Sequence, residues 1–155
     1  MYAASGLACF GGQNALVTAS NVLPADAVAG TAKLSPGGGS TQNVTFNLTV
    51  YNNGYTTNSF ILTASGGFGA TSFSFSPATL TVAANGTGVS AVTATFPANL
   101  PLSTSAPITV NVAYPGARGQ VTRTVKIPVN IGAAIDPNLA LATTTTFTSS
   151  ATTIA

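Results

Sequence analysis

The stretch from Thr41 to Tyr51, TQNVTFNLTVY, alternates strictly between apolar and polar side chains. The apolar residues at every second position are Val44, Phe46, Leu48 and Val50, and Asn or Thr fills the positions between them. Successive side chains of a β-strand point to opposite faces, so this period places all four apolar side chains on one face. The stretch therefore predicts a β-strand with one face in a core and the other in contact with solvent.

The same alternation recurs along most of the chain after this strand. The segments that carry it are 58–64, 71–76, 78–83, 88–96, 107–114 and 120–131. Turn sequences rich in Asn, Gly and Pro separate them, and no segment has a strong helical period. This pattern predicts an all-β fold, an immunoglobulin-like antiparallel β-sandwich of about seven to eight strands. In the last segment Arg123 interrupts the apolar face, so we expect its side chain to extend out to solvent.

The ends of the chain have weaker patterns than its centre. We divide it into an N-terminal tail over residues 1–29, the β-sandwich over 30–136 and a Thr-rich strand or tail over 137–155. Extended segments are expected near 5–10 and 14–19, and a short amphipathic helix near 24–29. The sandwich is thus expected to follow an extended N-terminal strand.

Charged residues are scarce in this chain. It has four basic and two acidic residues among 155, and no histidine. General acid–base catalysis, metal binding and phosphate binding depend on these residue types, so we expect no enzyme, no cofactor and no metal site. Two Asp residues are too few for a typical calcium site. A net charge of +2 is too small for a nucleic-acid partner.

A nearly uncharged surface favours association, because like charges do not keep the molecules apart. We therefore expect the surface to be covered by further copies of the same chain or by glycans. Both situations fit an extracellular protein or a virion protein. No apolar run is long enough to cross a membrane, so membrane insertion is not expected.

Three N-x-[ST] sequons are candidate glycosylation sites, and they begin at Asn43, Asn47 and Asn85. Asn43 and Asn47 share the polar face of one predicted strand, and Asn85 lies in a predicted turn. All three side chains are expected to be exposed, and N-linked glycans are the expected partners.

Two further features allow covalent chemistry. Cys9 is the single cysteine, so the chain has no internal disulfide, and Cys9 is interpreted as a buried or tolerated thiol. An intramolecular isopeptide bond needs a Lys, an Asn and an acid. Lys126 beside an Asn, with Asp26 or Asp136 as the acid, would supply them.

Residues 73–114, FSFSPATLTVAANGTGVSAVTATFPANLPLSTSAPITVNVAY, resemble the immunoglobulin-like modules of secreted archaeal and bacterial surface proteins. The neutral head, the sequons and the apolar N-terminal tail together resemble subunits of archaeal extracellular filaments, of the thread or TasA-like bundling-pilus type. Those subunits join by donor-strand complementation, in which the N-terminal strand of one subunit completes the sheet of the next. The resemblance implies that the tail is the donor strand and that Leu7, Phe10, Leu16 and Val17 fill the acceptor groove.

Two other interpretations of the sequence stay open. A virion structural protein with a β-sandwich fold, such as a capsid, decoration or spike component, is the main alternative. A carbohydrate-binding module is less favoured, because sugar platforms need exposed aromatic residues and only Tyr51 and Tyr55 suggest one.

Overall fold

The computed structural model describes residues 14–37, 39–66, 70, 72–102 and 107–132. These residues form ten β-strands and no helix. The strands are β1 (Ala15–Leu23), β2 (Ala32–Leu34), β3 (Gln42–Asn52), β4 (Asn58–Gly66), β5 (Ser72–Ser76), β6 (Thr79–Val82), β7 (Thr87–Phe96), β8 (Ile108–Gly116), β9 (Gly119–Ile127) and β10 (Val129–Ile131).

Two four-stranded antiparallel sheets make the body of the protein. We call them the β3 sheet, with strand order β1-β3-β7-β5, and the β8 sheet, with strand order β6-β4-β8-β9. Strands β2 and β10 form a separate parallel pair. The prediction of an all-β, immunoglobulin-like antiparallel sandwich is confirmed.

The core lies between the inner faces of the two sheets. The alternation of apolar and polar residues between Thr41 and Tyr51 is present in β3, where Val44, Phe46, Leu48 and Val50 are buried. The largest fully buried side chains from other strands include Phe60, Phe96, Ile108 and Tyr114. Phe60 and Tyr114 pack with ring centroids 5.1 Å apart and a tilt of 50°. Aromatic rings commonly pack at this distance and with this kind of tilt, so the contact adds to the burial of both side chains.

The structure differs from the sequence-based expectation in two segments. The helix expected near 24–29 is wrong, because this segment forms bends and a turn, and Ala25 makes a β-bridge to Ala32. The strand expected over 120–131 is divided into β9 and β10, and the interruption falls at Pro128. Proline has no N–H to donate, so a sheet ladder tends to break where it lies.

The domain boundaries stay predictions, because both ends of the chain lie largely outside the described residues. The strand expected near 5–10, the thiol of Cys9 and the Thr-rich region 137–155 all fall outside them.

Candidate functional site

Strand β1 lies at one edge of the β3 sheet and pairs with β3 in antiparallel register. The register runs from Ala15 opposite Asn52 to Ser20 opposite Asn47, and it shifts before Leu23 pairs with Thr45. Asn21 lies at this bulge with φ of 55°, in the left-handed region that Asn tolerates better than most residues. Since an edge strand has a partner on one side only, β1 can be replaced by an equivalent strand without changing the rest of the sheet.

Two of the four predicted donor-strand residues fall on β1. Leu16 points away from the core and is 54% exposed, whereas Val17 is half-buried against the core. Leu7 and Phe10 lie outside the described residues. In this single chain Leu16 and Val17 pair with Tyr51 and Val50 of the same molecule. Their role as donor residues in a neighbouring subunit stays a prediction.

A polar contact joins the start of β1 to the other sheet. Arg123 of β9 is exposed, and its guanidinium donates a hydrogen bond to the side-chain oxygen of Asn14 at 3.0 Å. The expectation that Arg123 extends out to solvent is confirmed. Asn14, Arg123 and Asn53 line a surface cavity of about 440 Å³ at this corner. At this corner a side-chain hydrogen bond joins the two sheets, and no backbone ladder connects β1 to β9.

Asn52 fixes the end of β3 against which β1 begins. Its buried amide nitrogen donates to the carbonyls of Thr56, Val82 and Ala83 at 2.8–3.1 Å, and its side-chain oxygen accepts from the N–H of Gly54. A buried amide whose nitrogen and oxygen both have hydrogen-bond partners holds the local backbone in one arrangement. The local sequence around Asn52 resembles that of any Asn- and Gly-rich turn, and it does not show this role because the partners of Asn52 are up to 31 positions away.

The outer face of the β3 sheet is uncharged. None of its four strands contains Asp, Glu, Lys or Arg, and Ser, Thr and Asn make up most of the outward positions. Leu16, Tyr51 and Val89 are exposed on this face, with Leu16 directly opposite Tyr51 in the register. An exposed apolar cluster surrounded by neutral polar groups is typical of a surface that associates with another molecule.

The three sequon asparagines are placed differently. Asn43 and Asn85 are exposed, and Asn47 is half-buried. Asn47 lies between Ser20 of β1 and Ala91 of β7, whereas β1 ends before it reaches Asn43. Asn85 lies in the β6–β7 turn with φ of 55°. The expectation that the side chains are exposed is confirmed for Asn43 and Asn85. It is wrong for Asn47, because at Asn47 strand β3 has a neighbouring strand on each side.

Across residues 14–37, 39–66, 70, 72–102 and 107–132, no group of three His, Cys, Asp or Glu side chains comes together to hold a metal ion. In the same part of the chain, no helix has the length and apolar character needed to cross a membrane.

No protein-family model matches the sequence, and no curated protein matches it. Among solved structures, the chain is similar to a FixG-related protein from Vibrio parahaemolyticus, with 15% identity and a TM-score of 0.48 over 77% of this chain and 97% of that one. It is also similar to the CupB2 chaperone of Pseudomonas aeruginosa, with 21% identity, a TM-score of 0.45 and 65% of this chain covered. A third similar structure is the E. coli chaperone DraB, with 11% identity, a TM-score of 0.46 and 76% of this chain covered. This chain spans about half the length of the two chaperones, 53% and 54%. The assignment of the fold rests on the strand order and register given above.

Proposed function

We propose that this chain is a structural subunit of an extracellular surface filament, and that it polymerises when its N-terminal strand inserts into the sheet of a neighbouring copy. The observation that carries the proposal is the position of β1. It is the first described strand, it lies at a sheet edge, and β3 is its ladder partner. The β1 of a neighbouring copy fits the same place along β3.

Exchange of β1 between copies preserves the interactions that hold it in the single chain. The backbone hydrogen bonds to β3 and the partial burial of Val17 and Ala19 are the same in both arrangements. Strand exchange between identical subunits therefore costs little free energy, and repeated head-to-tail exchange produces an open filament. In this proposal Leu16 and Val17 act in the neighbour's sheet, and Leu7 and Phe10 extend the donor strand.

The scarcity of charge at the edges of the two larger sheets supports the same proposal. The two four-stranded sheets have four edge strands, and three of these, β1, β5 and β6, contain no charged residue. Lysine at a sheet edge is a common means by which monomeric proteins prevent strands from pairing between molecules. Its absence from these edges fits a protein whose surface is covered in an assembly.

Cysteine cross-linking tests strand exchange directly. In a Cys9→Ser background, Leu16→Cys is introduced in one copy and Tyr51→Cys in another, and the two variants are co-expressed. Opposed residues in a ladder are close enough for a disulfide, so exchange gives a covalent link between the two chains. Peptide mapping of the oxidised filaments identifies that link.

The matched control pairs Leu16→Cys with Thr63→Cys on the outer face of the β8 sheet, and no link between those positions is expected. A chain that carries both substitutions can also form a disulfide between positions 16 and 51 of the same molecule. If only this intramolecular disulfide forms while filaments still assemble, the exchange proposal is overturned. Deletion of residues 1–22 removes most of the donor strand, so we expect a monomer that does not polymerise in electron micrographs.

Glycosylation of the sequons belongs to the same proposal. We propose N-linked glycans at Asn43, Asn47 and Asn85, with occupancy decreasing in the order Asn85, Asn43, Asn47. The two exposed side chains are accessible to a modifying enzyme, and Asn47 has a strand on each side. Glycopeptide mass spectrometry of native material measures the order, and higher occupancy at Asn47 than at Asn85 contradicts it.

The alternative function is that of a virion structural protein. An uncharged sheet face also suits packing in a closed shell. Electron microscopy of the native material separates the two, because closed particles favour the virion protein and extended fibres favour the filament subunit.

A further inference from the structure

The parallel pair β2–β10 brings a lysine and an asparagine side by side. In its register Ala32 is opposite Val129, Lys33 is opposite Asn130 and Leu34 is opposite Ile131. The first and last residues of both strands, Ala32, Leu34, Val129 and Ile131, are buried in the core. Lys33 and Asn130 are the middle residues, so they point to the opposite face of the pair. Strands in a ladder lie about 4.8 Å apart, which places these two side chains within contact range.

The segment 24–31 brings a carboxylate to the same place. It is anchored to β2 by the Ala25–Ala32 bridge and by a 2.8 Å hydrogen bond from the N–H of Lys33 to the carbonyl of Pro24. Asp26 accepts a hydrogen bond from the side-chain nitrogen of Asn130 at 2.9 Å. Asp26, Lys33 and Asn130 are all half-buried. Asp26 and Lys33, which are close in sequence, thus lie beside Asn130 from near the other end of the described chain.

Asp26 is in its charged form beside the side-chain amide of Asn130. The hydrogen bond from Asn130 lowers the pKa of Asp26, the N–H of Ala27 and the positive charge of Lys33 lower it further, and burial opposes them. The carboxyl is therefore ionised at neutral pH. Its oxygen contacts the amide nitrogen of Asn130, which is the atom that must leave if the side-chain carbonyl of Asn130 is attacked.

The other lysine lacks these surroundings. Lys126 lies on edge strand β9 directly opposite Thr109. The sequence suggested Lys126 as the lysine of an isopeptide bond, with Asp26 or Asp136 as the acid. Asp26 bonds instead to Asn130, which is opposite Lys33, and Asp136 lies outside the described residues. The parallel pairing of β2 with β10 is the reason, because it joins residues 97 positions apart in sequence (130 minus 33).

We propose that Lys33 and Asn130 become joined by an intramolecular isopeptide bond and that Asp26 carries the protons for this reaction. Asp26 accepts a proton from the Lys33 ammonium, and the neutral amine attacks Cγ of Asn130. The new bond joins Nζ of Lys33 to Cγ of Asn130, and the bond from Cγ to Nδ2 breaks. Asp26 returns its proton to the departing nitrogen, which leaves as ammonia and is protonated by the second proton released from Lys33. The reaction needs no oxidant, reductant or cofactor, and it occurs once per chain.

The bond would tie the first part of the sandwich to its last described strand. A cross-link at this position encloses β3 to β9, which are the strands of the two four-stranded sheets apart from β1. It leaves β1 outside the closed loop, so β1 stays free to exchange between subunits. The cross-link is therefore compatible with strand exchange and does not depend on it.

Intact-mass measurement of the full chain, made in a host without N-glycosylation, tests the proposal. We expect a mass lower than that of the sequence by one ammonia, and a branched peptide that joins Lys33 to Asn130 after proteolysis. The variants Lys33→Arg, Asn130→Ala and Asp26→Ala should each keep the ammonia and give no branched peptide. The matched variants Lys126→Arg and Asn111→Ala should lose the ammonia as the unchanged chain does.

Each outcome decides the proposal. An unchanged mass in the folded protein overturns it. A loss of ammonia without a branched peptide also overturns it, because Asn53-Gly54 and Asn85-Gly86 can lose ammonia by cyclisation. A branched peptide that persists in Asp26→Ala overturns the role of Asp26. Circular dichroism shows that each variant is folded, so that an absent bond is not the result of a disrupted sandwich.

Discussion

The outer face of the β3 sheet contains no charged residue, whereas the β8 sheet carries Arg118 in its β8–β9 turn and Arg123 and Lys126 on β9. Both inner faces supply large buried apolar side chains to one core, and Arg123, which is opposite the buried Val112, is the one charged residue on the inward-facing positions of β9. Like charges on two approaching surfaces repel within about 8–10 Å at physiological salt. Arg118 and Lys126 would therefore oppose contact between two β8 sheets, whereas the strands of the β3 sheet contain no charge that would do so. The difference shows that folding determines the inner faces, while the outer faces are free to determine association.

The same substitution in the inner face of each sheet should reduce the free energy of unfolding by a similar and large amount. Phe46 of the β3 sheet and Phe60 of the β8 sheet are both buried. We expect Phe46→Ala and Phe60→Ala each to reduce the free energy of unfolding by about 3–5 kcal/mol, because each leaves a cavity in the core. Denaturant titration of the monomer measures this. A loss from one variant several times smaller than from the other contradicts a shared core.

Equal substitutions on the two outer faces should have unequal effects on assembly. Val89 and Ile61 are both β-branched and both 51% exposed, on the β3 and β8 sheets respectively. We expect Val89→Lys to raise the protein concentration needed for assembly by about tenfold or more, because an unpaired charge in a contact surface is costly. Ile61→Lys adds the same charge and should have little effect. Light scattering at a series of concentrations measures both, and equal effects would show that the two faces do not differ in assembly.

Asn52 and Asn58 allow the stability contributed by a buried hydrogen-bonded side chain to be compared with that of a solvent-exposed hydrogen bond. We expect Asn52→Ala to reduce the free energy of unfolding by about 1–3 kcal/mol, because it leaves buried carbonyl groups without a donor. Asn58 is half-buried, and its side chain donates a 3.2 Å hydrogen bond, exposed to solvent, to the carbonyl of Pro115. Asn58→Ala should therefore cost about 0.5 kcal/mol or less. Thermal unfolding of the two variants compares them, and a greater loss from Asn58→Ala contradicts the assigned role of Asn52.

The smallest expected effect is that of acid on stability. The folded pKa of Asp26 is lowered below its ordinary value of 3.8. Its contribution to stability is therefore complete above pH 3.8 and is lost as the pH falls through the folded pKa. Since Asp136 is the only other acidic side chain, we expect little loss of stability between pH 7 and pH 4. Unfolding curves at several pH values measure this, and Asp26→Asn should remove most of the remaining dependence.

The candidate assembly site was only partly predictable from the sequence. The alternation of apolar residues identified β3 to β8 closely, because a strand with one buried face has a strict period of two. Strand β2 was missed, since three residues are too few to show a period. The helix expected near 24–29 was wrong because its composition alone suggested it, and the backbone there bonds to β2 and within its own turn.

The sequence by itself determined the fold class and the scarcity of charge, because both follow from local alternation and composition. Only the tertiary structure decided which residues meet across the chain. It brought Asp26 and Lys33 to Asn130, joined Arg123 to Asn14, and placed Leu16 opposite Tyr51 on an uncharged face. These contacts depend on the register and order of the strands, which are set by the packing of the whole core and leave no periodic signal in the local sequence.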